Sequence, residues 1–189
     1  MQMGLAWVAF SLLCAVLICG AATDWKRGKI YNRLTVPAML AGLVLWTVGG
    51  AVGGRLIDGL TGSALALAAG LLPMAVLFAA GGIGGGDAKL MGALGAISGD
   101  WRCVLATAVY SFAVAVIMAV AIMIRRRIVG RTLGRILAAA VLASSRVQPA
   151  MPADSPRVPF GAAIAIGGIV AGIEYLLEFD LPWSAWSPH

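Results

Sequence analysis

The chain has 189 residues, enough for one domain or at most two, and 61% of them are apolar against only 12% charged. So few charges cannot cover the surface of a soluble fold of this size, and a mean hydropathy of +0.95 excludes a soluble globular protein, a disordered chain and a disulfide scaffold alike. The net charge is +6, but the cations sit between apolar runs and form no basic block with interleaved aromatics, so they read as topology signals and not as a nucleic-acid surface.

The class that remains is all-α: a polytopic membrane protein with six transmembrane helices, the fourth short, and its N-terminus outside. A membrane barrel would show alternating segments of about ten residues, whereas these apolar runs are continuous and longer. The first predicted span is residues 3–23. No Lys or Arg precedes it, and its apolar core exceeds the roughly 7–15 residues of a secretory signal, so it is expected to be retained. The next spans are 34–54 and 60–82. A fourth, 88–99, would rise only about 18 Å as a helix against a hydrocarbon core of about 30 Å. It either crosses with its start below the membrane surface or forms a re-entrant segment. The fifth is 103–124 and the sixth 159–177, and the whole of 1–189 is read as one membrane domain. Cys14, Cys19 and Cys103 lie in apolar runs without a CxxC pair, which points to buried thiols and not to zinc or redox chemistry.

With the N-terminus outside, 12 of the 14 cations fall on inner segments, and only Arg55 and Arg102 fall outside. The positive-inside rule selects this orientation. Between the fifth and sixth spans, residues 125–158 form a cytoplasmic loop in which Arg127, Arg131 and Arg135 recur every four residues. That spacing predicts a helix on the membrane surface, its cations toward anionic lipid; Gln148–Pro159 carries four prolines and reads as a loop.

Of the eight acids, Asp58, Asp100, Glu178 and Asp180 fall in outer loops or the tail, Glu174 near the outer end of the last span, and Asp154 in the inner loop. Asp24 and Asp87 differ, since each sits on the cytoplasmic side at the edge of an apolar segment, where an acid is costly and a functional candidate. Asp24 closes the first span. Asp87 follows a run in which five of six residues are Gly, a run that lets backbone and substrate approach closely. Odd spans run one way and even spans return, so the end of span one and the start of span four share a face. Two carboxyls brought together cannot both ionise easily, and the pair holds one proton. One can then activate a water while the other protonates a carbonyl oxygen, which is peptide hydrolysis without a metal or other cofactor. His189 is the only histidine, which leaves HExxH zinc sites and Ser–His pairs without their parts. A second reading of the same residues is a small transporter or assembly scaffold, with the aspartates binding a proton or cation and the Gly-rich segment breaking a helix.

Gly84-Gly85-Gly86-Asp87 followed by Lys89 resembles the GxGDxK motif of type IV prepilin peptidases. Asp24 with Ile30 and Asn32 resembles that family's first aspartate and its Asp-x5-Ile-Pro-Asn element, and Pro159-Phe160-Gly161 resembles its Pro-[Phe/Tyr]-Gly-Pro element. Tyr31 and Ala162 stand where the family pattern has proline. The resemblance implies a membrane aspartic endopeptidase of the inner membrane, cutting the leader from pilin-like precursors at the cytoplasmic face, commonly after a Gly. Asp24 and Asp87 would be the dyad, and Gly84 and Gly86 would shape the approach of an extended substrate. Lys89 would either orient Asp87 or snorkel to the interface, and Asn32 would either hydrogen-bond near the first aspartate or turn the loop. The methyltransferase region with CxxC pairs found in larger members is absent from this sequence. The resemblance is therefore to the compact, peptidase-only form, as in tight-adherence (Tad/Flp) pilus systems, and N-methylation is not expected. A second copy of the chain, or pilus and secretion machinery, would be compatible partners.

Overall fold

The computed structural model describes residues 2–127 and 159–177. Six helices follow one another: α1 (Gln2–Arg27), α2 (Asn32–Val52), α3 (Leu56–Ala79), α4 (Gly85–Ser98), α5 (Trp101–Arg125) and α6 (Phe160–Leu176), with no strand among the described residues. Four of them, α1, α2, α3 and α5, are long and apolar enough to cross a membrane; α4, with 14 residues, and α6, with 17, are shorter. The surface helix expected within 125–158 lies almost wholly outside the described residues. Two compact units are distinguished, 1–112 with 159–189, and 113–158. The residues of interest all belong to the first, and the described part of the second is the C-terminal half of α5 and the turn after it.

The apolar surface points outward. On α2, Val36, Leu40, Val44, Val48 and Val52 recur every four residues and are all exposed. Such a stripe is tolerable only against lipid. The interior is built largely from small residues, as expected where helices associate by close packing and not by escape from water.

α4 is the centre of this packing. It touches α1, α2, α3 and α6, and Leu90 to Ser98 are buried without interruption. Glycines let its neighbours approach backbone to backbone. Gly42 of α2 lies against the Ala96 carbonyl, Gly70 of α3 against the Met91 carbonyl, and Gly95 of α4 against the Ala66 carbonyl, each with no room for a Cβ. A helix this short ends inside the protein, and its last carbonyls have no helical donor. Side chains and the turn supply donors. The Gly99 amide reaches the Gly95 carbonyl at 3.0 Å, Ser63 Oγ donates to Ala96 O at 2.8 Å, and Trp46 Nε1 donates to Ile97 O at 2.7 Å. Trp46 of α2 is thus a cap for α4.

Helix ends differ from the sequence-based spans in ways that matter for the acids. α1 continues through Asp24, Trp25, Lys26 and Arg27, and stops at Gly28, whose φ of 61° turns the chain. The two cations in this last turn suit the negative end of the helix dipole, so Asp24 belongs to a helix and not to a loop. α4 begins at Gly85, so Gly85 and Gly86 are helical. Asp87 stands at the third helical position and accepts from the Gly84 amide at 3.2 Å. That bond satisfies an otherwise orphaned donor and starts a helix from a glycine run.

Gly95→Ala is expected to force α3 and α4 apart, at a cost of about 1–3 kcal/mol, read as a lowered melting temperature in detergent. Gly53→Ala, whose new Cβ would meet nothing nearer than 3.6 Å, should melt as wild type does. Equal melting of the two variants would contradict the packing.

Candidate active site

Three helix ends line one cavity: the C-terminus of α1 and the N-termini of α2 and α4. The cavity holds about 370 Å³ and is lined by Asp24, Gly28, Lys29, Ile30, Tyr31, Asn32 and the segment Gly84–Asp87. Both aspartates singled out in the sequence therefore face the same space, across 63 residues of chain.

Each carboxyl is oriented in the same manner. Asp24 is half-buried, and its Oδ2 accepts from the Gly161 amide in the first turn of α6 at 2.9 Å. Asp87 is only 9% exposed, and its Oδ2 accepts from the Gly84 amide. Both donors are free amides at a helix N-terminus, where the dipole favours a carboxylate. Gly161 permits its bond, since a Cβ there would stand 2.8 Å from Asp24 Oδ2 and 3.0 Å from Ile30 Cδ1. Burial first, and the neighbouring Asp24 second, push Asp87 up to about 6, while the Gly84 amide opposes the rise. The carboxyl therefore keeps its proton well above the usual carboxylate range.

The other described acids are engaged elsewhere. Asp58 pairs with Arg55 at 2.8 Å, Asp100 accepts from the Arg102 amide at 2.8 Å, and Glu174 accepts from the Tyr110 hydroxyl at 2.8 and 2.9 Å. Asp154, Glu178, Asp180 and His189 lie outside the described residues. Among the described residues no three His, Cys, Asp or Glu side chains gather as metal ligands.

Of the supporting motif residues, Gly84, Gly86 and Asn32 line the cavity. Lys89 does not reach Asp87; its Nζ donates to Asn32 Oδ1 at 2.8 Å. Pro159 precedes α6 as its cap residue, and Phe160 packs on Phe112, ring centres 5.5 Å apart. Sequence reasoning missed the part played by the rest of the segment 28–31. Lys29 and Tyr31 also line the cavity, and Tyr31 is steadied by Arg27 Nη1, which donates to its hydroxyl at 3.1 Å. Gly28, the one glycine in a polar turn, was the available signal.

A bundle of apolar helices, four of them long enough to cross a bilayer, defines a membrane protein, and its two carboxyls share one cavity. The family model for the type IV leader peptidase family matches residues 11–124, more than half of the chain and a stretch that includes both aspartates. The chain belongs to that family and is a peptidase. No curated protein and no solved structure matched it.

Proposed function

We propose that this peptidase removes the leader from pilin-like precursors at the cytoplasmic face of the inner membrane, with Asp24 and Asp87 as an aspartic dyad. The observation that carries this reading is the shared cavity, in which each carboxyl is held through Oδ2 by a helix N-terminal amide. One proton serves the pair. Asp87, the more buried of the two, holds it. Asp24 takes a proton from a water as the water adds to the scissile carbonyl carbon, and Asp87 gives its proton to the carbonyl oxygen. When the tetrahedral species collapses, the C–N bond breaks and the dyad returns a proton to the leaving amine.

The precursor's apolar helix lies among the spans, which leaves its junction with the leader at the level of the cavity. Lys26, Arg27, Lys29 and Arg33 all fall in the nine residues after Asp24, and Lys29 lines the cavity itself. These cations repel a basic leader, so recognition rests on a small residue at the cut and on the apolar helix beyond it.

Asp24→Asn and Asp87→Asn should each abolish leader cleavage, read by mass spectrometry on purified protein with a precursor peptide, while membrane insertion stays intact. An amide keeps the size of the acid and can neither donate nor accept the catalytic proton. EDTA should leave the rate unchanged. Wild-type cleavage by either variant, or EDTA inhibition reversed by zinc, would refute the dyad.

Orientation is tested separately. In a chain freed of Cys14, Cys19 and Cys103, an impermeant thiol reagent applied outside the inner membrane should label Asp58→Cys and spare Gly82→Cys. The reverse pattern would put the cavity on the wrong side for leader removal.

A further inference from the structure

Lys89 and Asn32 stand in the sequence motifs, yet neither has a part in the proton transfers above. Lys89 lies two residues beyond Asp87 in α4, and residues two apart on a helix do not face each other. The only ion pair among the described residues is Arg55–Asp58, so the Lys89 charge is matched to neither aspartate. Its ammonium crosses instead from α4 to the first residue of α2, where it donates to Asn32 Oδ1 at 2.8 Å. Lys89 is half-buried and Asn32 exposed, and the four-carbon lysine stem has the length to join the two levels.

The segment that this bond holds down contains Ile30, a half-buried residue packed against the core. A Cβ on Gly86 would come within 2.9 Å of Ile30 Cβ, and a Cβ on Gly161 within 3.0 Å of Ile30 Cδ1. Ile30 is thus wedged between the first turn of α4 and the first turn of α6. Those turns carry Asp87 and the amide that holds Asp24.

We propose that Ile30 and the Lys89–Asn32 hydrogen bond work as spacer and clasp: Ile30 sets the gap between the two helix ends that orient the aspartates, and Lys89, acting through Asn32, keeps Ile30 seated. Lys89 is a positioning residue, and its role rests on the reading of Asp24 and Asp87 as the dyad. Small errors at such a site are costly, since a misplacement of about 1 Å lowers a rate roughly a hundredfold.

The test is a double-mutant cycle of Lys89→Met and Asn32→Leu on the purified full-length chain, with a peptide spanning a precursor's leader junction. Each single variant should lower kcat by about 10- to 100-fold with KM within about twofold, and the double variant should be no slower than the slower single one. Lys89→Arg should recover most of the rate when Asn32 is present and none in the Asn32→Leu background. The same non-additivity should appear in melting temperature, which needs no cleavage. If Lys89→Met does not accumulate, Lys89→Ala takes its place in the cycle. Losses that multiply, or a Lys89→Met effect that is undiminished without Asn32, would overturn the clasp. Lowered melting with a wild-type kcat would overturn the positioning role. Failure of the wild-type chain to cleave would count against the peptidase reading, and the melting cycle would still decide whether the clasp exists.

Discussion

Two carboxyls that share a half-buried cavity resist ionising together, and the fold around residues 24 and 87 is organised to hold them there. Moving Asp87 from an ordinary 3.8 to about 6 corresponds to about 3 kcal/mol at about 1.4 kcal/mol per unit. The sign follows from the raised value. The protonated form is favoured in the fold, so this contribution is fully present below about 3.8 and is lost as pH rises through about 6. At neutral pH the site is therefore a cost to the protein, a common signature of a functional site. The compensation is local. The amides of Gly161 and Gly84 each bind one carboxyl oxygen, and both belong to helix N-termini whose dipoles favour negative charge.

That arrangement depends on a helix too short to cross a membrane by itself. α4 is buried from Leu90 onward, so its N-terminus can stop at the cavity while its C-terminus stops inside the protein. The second of these ends would be prohibitive without donors, because an unsatisfied carbonyl in an apolar interior costs several kcal/mol. Ser63, Trp46 and the Gly99 amide supply them. Close glycine contacts with α2 and α3 then fix its depth, and with it the level at which Asp87 meets Asp24. Stability at one end of α4 and the placement of Asp87 at the other are two consequences of the same packing.

Much of this was legible in the sequence. Acids are rare in apolar segments, so Asp24 and Asp87 stood out, and the alternation of span direction put them on one face. What stayed hidden was set by tertiary contact. The charged stretch after residue 23 looks like a loop, yet the helix runs on to Arg27 because Lys26 and Arg27 suit its C-terminus. The glycines before Asp87 look like a flexible approach, yet two of them are helical because Asp87 caps the turn. Trp46 gives no hint of a partner in the sequence, and its indole donates to a carbonyl 51 residues away. Ile30 carries no chemical signal, and its wedge between Gly86 and Gly161 follows from the meeting of segments far apart in the chain.

The central claim is that the two aspartates are close enough to govern each other's protons. It is tested most directly by titrating the side-chain carboxyls of aspartate-labelled protein by carbon-13 NMR, in the wild type and in Asp24→Asn. Asp87, assigned by its disappearance in Asp87→Asn, should titrate near 6 in the wild type. It should titrate lower in Asp24→Asn, where burial still raises it but the neighbouring charge is gone. A midpoint near 3.8, or one that Asp24→Asn does not move, would contradict the account.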